Sequence, residues 1–153
     1  FGMAYLCGLL HNFGYLILAE VFPPYFHAYC EMADANPHVT HQAIERHLVG
    51  VTREQLASTL MSLWSMPEEV IVGLRHQNNP NFQGEYSQYA KLIFVAQRLL
   101  HQHNIGQGPK LEIPQSVFDD LHLDPEKAQQ TVQNILESSD DLKHIAHELS
   151  PKH

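Results

Sequence analysis

Twelve histidines in 153 residues, beside nine Lys and Arg and seventeen Asp and Glu, are the chain's main stock of chemically versatile side chains. An imidazole can ligate a metal, move a proton near neutral pH or simply face solvent. His101, His103, His122 and His153 lie in polar stretches and read as solvated surface. His11 and His76 fall instead on the apolar sides of predicted helices, where an imidazole needs a partner or a purpose. Cys7 and Cys30 have no neighbouring base, so nucleophilic catalysis finds no support and inert thiols are expected. They form no CxxC pair or framework, which predicts reduced thiols and a cytoplasmic setting. Gly106 and Gly108 read as turn glycines rather than a phosphate loop. Asp119, Asp120, Asp140 and Asp141 lack the spacing of a calcium loop and suit helix starts or solvated corners.

Composition sets the frame for these groups. At 44% hydrophobic and 17% charged residues, the chain should form one compact core. Its net charge of −8 disfavours nucleic acid as a partner, because phosphate-backbone binding depends on basic side chains that displace counterions. The apolar opening from Phe1 to Ala19 lacks a basic leader and carries His11, Asn12 and three glycines. It therefore reads as a buried core helix rather than a signal peptide or membrane span. A start without Met, directly inside that segment, suggests a piece of a longer polypeptide.

Helical spacing and breakers place the elements. Cys7, Gly8, His11, Tyr15 and Leu18 share one face of a first helix, which Pro23 and Pro24 end. A second helix is expected from Tyr25 to Ala33, broken by Asn36 and Pro37, and a third from His41 to Val49, stopped by Gly50. Thr52 and Gln55 form a capping box that opens a fourth helix, with Arg53, Leu56, Ala57, Leu60 and Trp64 on one face. Pro67 starts a fifth that carries Val72, Gly73 and His76 on one side. Glu85 to His103 reads as a long helix whose stripe of Tyr86, Ala90, Ile93, Phe94 and Leu100 is interrupted by Gln97. Gly106, Gly108, Pro109 and Pro114 make 104–114 a loop. Two helices, from Asp124-Pro125 to Leu136 and from Asp140 to Leu149, complete an all-α chain with no strand alternation. The domain reading is a helical core over 1–103, the loop 104–114 and a helical extension over 115–153 packing on the core.

Three stretches carry a family resemblance. Gly8-Leu9-Leu10-His11-Asn12-Phe13-Gly14 resembles the GLLHDIG helix of HD-type proteins. Trp64-Ser65-Met66-Pro67, followed by Ile71 to Gln77 and Pro80, resembles the W-x-LP and HH signature of HDOD domains. Ile93-Phe94-Val95-Ala96-Gln97-Arg98-Leu99 resembles the helix in which HD enzymes supply an aspartate. The chain is thus similar to the HDOD domains, relatives of the HD metal-dependent phosphohydrolases. The resemblance implies a compact multi-helix HD-like bundle, the C-terminal part of a larger domain.

It also implies where metal ligands would stand. His11 is kept, but the adjoining aspartate is Asn12. A histidine position is Arg53, the second of the paired histidines after His76 is Gln77, and the distal aspartate is Gln97. A divalent ion wants neutral imidazoles and ionised carboxylates converging on it. Amides are poor ligands and a guanidinium repels a cation. No catalytic residue, metal or cofactor is therefore expected. His11 and His76 read as histidines paired inside the core, with His11, Arg53, His76 and Gln97 as a possible anion or small-ligand pocket. Arg53 either replaces the metal structurally, pairing with a carboxylate or holding an anion, or reaches solvent from its helix start. The expected function is a non-catalytic bacterial signal-transduction output module. Its partners would be a protein, other domains of the same polypeptide or a small anionic ligand, with no nucleic acid and no membrane. The alternative is a metal-dependent phosphohydrolase acting on a nucleotide or cyclic dinucleotide.

Overall fold

The computed structural model describes residues 2–106, 108 and 110–149; Phe1, Pro109 and His153, used in the sequence reading, lie outside them. The described residues form nine helices and no strand: α1 (Gly2–Leu10), α2 (Phe13–Val21), α3 (Pro23–Ala35), α4 (His41–Leu48), α5 (Arg53–Leu63), α6 (Glu68–His76), α7 (Ser87–Gln102), α8 (Gln115–Asp120) and α9 (Pro125–Leu149). The fold is the all-α bundle expected of the sequence. It divides into two compact units, 1–97 and 98–153.

In the first unit, α1 packs on α6, α2 on α5 and α3, α3 on α4, and α5 on α6. Cys7, Ala57, Met61, Val70, Ile71, Leu74 and Ile93 form a buried cluster, with Met3, Leu6, Leu10, Phe13, Met66 and Tyr89 around it. The single helix expected up to Pro23 is two. The ladder stops at His11 and Asn12, where the His11 Nδ1–H donates to the Gly8 carbonyl (2.6 Å) and the Tyr15 N–H to that of Asn12 (3.1 Å). The break lets α2 close on α5: a Cβ built on Gly14 would stand 2.0 Å from the Arg53 carbonyl oxygen, so only glycine fits.

His11 is consequently half-exposed in a turn, not within a buried stripe. The opening segment is not a buried core helix either, since Tyr5 is 74% and Leu9 66% exposed while Cys7 and Leu18 are buried. Residues Gly2–Val21 have the length and composition to cross a membrane. In this fold they are a broken helix pair with one side on α5 and α6.

Other boundaries shift for local reasons. Pro23 begins α3 rather than merely ending its predecessor, since proline suits the first helical turn. Tyr86 has φ 60° and precedes α7 instead of joining its stripe, and Trp64 is 57% exposed beyond the end of α5. α8 occupies a stretch without an expected helix, and α9 runs unbroken through 137–139. No proline or glycine lies between 126 and 149, and the Ser138 hydroxyl is absorbed by the Asn134 carbonyl (2.9 Å).

Candidate functional site

The site is organised by the turn between α4 and α5. Thr40 caps α4, accepting from the Ala43 N–H (3.3 Å), and Gly50 at φ 86° donates back to Glu45 and Arg46 carbonyls to end it. Thr52 then opens α5 with both bonds of its capping box: its N–H donates to Gln55 Oε1 (2.9 Å) and its hydroxyl accepts from the Gln55 N–H (3.3 Å). This hairpin brings Arg53 onto Glu45. One Glu45 oxygen accepts from the Arg53 backbone N–H (2.6 Å), the other from Arg53 Nε. The pair is deeply shielded, with side-chain exposures of 12% for Arg53 and 1% for Glu45.

Two aromatic rings complete the seat of Arg53. Its guanidinium carbon lies 4.6 Å from the Tyr15 ring centroid and 5.1 Å from that of Tyr29, within cation–π range. Burial raises the Tyr29 phenol above its ordinary value, even with the Arg53 charge pulling the other way. Arg53 Nη2 is buried with no hydrogen-bond partner. Of the readings of Arg53, pairing with a carboxylate is what this geometry contains, and little of the side chain reaches solvent.

Beside that pair stands Glu54, whose Oε1 accepts from His41 Nε2 (2.7 Å) and Asn78 Nδ2 (2.6 Å). Burial alone would raise its carboxyl, but the hydrogen bond and charge of His41 outweigh it and hold Glu54 below the ordinary carboxylate range.

The remaining predicted positions separate into two places. Gln77 is buried and links three others: its amide donates to the His11 carbonyl (3.0 Å) and the Leu74 carbonyl (2.9 Å), and its oxygen accepts from Gln97 Nε2 (3.0 Å). His11 thus joins through its backbone, not its imidazole, and Asn12 is exposed. His76 stacks on Phe82 at 3.8 Å between centroids, where burial, then the charge of Arg75, lowers its pKa below the ordinary imidazole value. Among the described residues its imidazole makes no hydrogen bond to Asn12, Gln77 or Gln97, so it stands against an aromatic ring and apart from the other expected ligand positions. Cys7 is buried, with its thiol pushed up to about 11 chiefly by burial, as an inert thiol should be.

These donors can be weighed against a divalent ion. The Gln77–Gln97 amide pair offers no ionised oxygen, and its groups are committed to each other and to backbone. His41, Glu45 and Glu54 bring ligand atoms within 4.8 Å of one another. Both Glu45 oxygens there are already taken by Arg53, whose fixed cation adjoins the cluster. Neither donor set fits a divalent metal of the HD type.

His76 also lines a groove of about 860 Å³ between α4, α5 and the end of α6, with Arg46, Glu54, Gln55, Ser58 and Arg75 among its other walls. Sequence reading missed His41, Glu45, Glu54 and Arg75. The only local signal was two glutamates flanking the Gly50 turn.

Comparison with known proteins agrees with this architecture. The HDOD domain family profile matches residues 2–80. A Treponema pallidum (strain Nichols) protein described as uncharacterized is 25% identical over 144 residues, which is 94% of this chain and 28% of that protein. A crystal structure of a Marinobacter aquaeolei VT8 protein, described as a signal transduction protein, superposes with a TM-score of 0.85 at 40% identity, covering 95% of this chain and 32% of that one. The chain therefore spans about a third or less of the length of these relatives. With its motifs, its helical order and the profile match over 2–80 in agreement, the chain belongs to the HDOD domain family.

Proposed function

We propose that this domain is a non-catalytic output module of bacterial signal transduction, working in the cytoplasm through contact with a protein, with other domains of its polypeptide or with a small anionic ligand. The observation that carries the reading is the Gln77–Gln97 amide pair, bonded at 3.0 Å where the family resemblance implies a histidine and an aspartate. An amide pair stabilises helix packing but cannot hold a metal-activated water. Signalling is supported by the family and by the description of the Marinobacter relative. Contact with a protein is supported by Tyr5, Leu9, Leu16 and Val21, apolar side chains left exposed on α1 and α2.

The alternative, a metal-dependent phosphohydrolase acting on a nucleotide or cyclic dinucleotide, has the convergence of His41, Glu45 and Glu54 in its favour. Elemental analysis of the purified protein, with turnover of bis(p-nitrophenyl) phosphate in added manganese, separates the two. The proposal expects far less than one metal per chain and no turnover above the buffer rate. Stoichiometric manganese, iron or zinc accompanied by turnover would replace it with the enzyme.

A further inference from the structure

The groove beside His76 carries a charge imbalance that the vestigial site does not explain. Its buried acid, Glu54, is answered by His41 and Asn78, and Glu45 nearby by Arg53. Arg46 and Arg75 both line the groove, and neither joins an ion pair among the described residues. They are two of only four Lys or Arg within 1–97 of a chain whose net charge is −8. Arg75 is held across the groove by its Nε, which donates to Ser58 Oγ (3.3 Å), leaving its terminal nitrogens uncommitted. Gln42, Gln55 and Thr59 add neutral donors and acceptors to the wall.

We propose that this groove binds a small phosphate ester of a polyhydroxylated compound, with Arg46 and Arg75 taking the phosphoryl group. A phosphoryl monoester carries close to two negative charges at neutral pH, matching the two unpaired guanidiniums. At about 860 Å³ the groove exceeds what the phosphoryl group alone would fill and suits a small molecule. Apart from the two arginines, Glu54 and Val51, its lining is uncharged and polar, which favours hydroxyls over an acyl or aromatic remainder. The inference rests on the non-catalytic reading, in which the groove holds its ligand without hydrolysing it.

Titration calorimetry on the 153-residue chain, in EDTA at matched ionic strength, tests it with ribose 5-phosphate, inorganic phosphate and ribose as probes. Ribose 5-phosphate should bind saturably at one site, inorganic phosphate about tenfold more weakly, and ribose not measurably. Arg75→Gln should weaken the ester about tenfold or more, as loss of a charge-assisted contact does. Lys143→Gln, on α9, should change nothing. Both arginines are exposed, so their variants should melt as the parent does. The proposal is overturned by absence of saturable binding at millimolar ester, by equal affinity for inorganic phosphate and the ester, or by unchanged ester binding in the Arg46→Gln, Arg75→Gln double variant. Phosphate release from ribose 5-phosphate in added manganese would instead sink the non-catalytic reading while leaving binding in EDTA intact.

Discussion

Removing the Arg53 guanidinium would leave the Glu45 carboxylate, 1% exposed, without its counter-charge. Arg53→Met should therefore cost roughly 3–5 kcal/mol in urea unfolding, and adding Glu45→Gln should recover much of it, since a buried ion pair is costly mainly when broken on one side. Equal losses in the single and double variants would show that the pair is not what matters. Acid should act through two further groups. His76 titrates below its ordinary 6.5 in the fold, so the unfolded chain takes up that proton first and stability falls as pH drops below about 6.5. Glu54 is likewise depressed below its ordinary 4.5, and its contribution, complete above that value, is lost at still lower pH. Urea midpoints from pH 8 to 4 should decline from near 6.5 downward, and His76→Phe should flatten the upper part of that decline. A midpoint that rises on acidification would contradict both assignments. The amide substitutions were legible in the sequence as residue types, but Glu45, Glu54 and His41 were not, because nothing local marks which carboxylate a cation will meet.

Helices here are set by short-range chemistry until another helix intervenes. Thr52→Ala removes the side-chain half of the capping box and should cost about 1 kcal/mol, read from chemical denaturation. That box was plain in the sequence, as was the Gly50 stop. The division of α1 from α2 was not, because His11 and Asn12 are not breakers by type; the close approach of α2 to the α5 backbone settles it. Two glycine substitutions test this. Gly14→Ala should lose about 3 kcal/mol or fail to fold, since its methyl meets backbone that cannot yield. Gly8→Ala meets nothing within 4 Å and should be neutral or stabilising by up to about 1 kcal/mol. If both behave alike in thermal melts, the contact between α2 and α5 is wrongly placed. The unbroken α9 gives the complementary lesson: Ser138 to Asp140 look like a helix boundary, yet without proline or glycine the ladder simply continues.

For the molecule as a whole, the decisive feature of the first unit is which apolar residues it buries and which it leaves out. Leu18 is 2% exposed and Leu9 is 66% exposed, though both lie in the same apolar opening. Leu9→Glu should stay within about 0.5 kcal/mol of the parent, as surface changes do, whereas Leu18→Glu should unfold the domain by burying an unpaired charge. Circular dichroism melts of the two variants check this, and equal damage from both would contradict the packing. Composition, periodicity and capping motifs were enough to determine an all-α chain, because those rules act within a few residues, and the resemblance of three stretches to HDOD domains implied ligand positions at which Asn12 and Gln97 stand in place of acids. Tertiary structure alone decided that Gln77 would hold the His11 carbonyl 66 positions away, that Asn78 would meet Glu54 across 24, and that Arg46 and Arg75 would share a groove. Such pairings follow from how whole helices approach one another, and no local pattern encodes that distance.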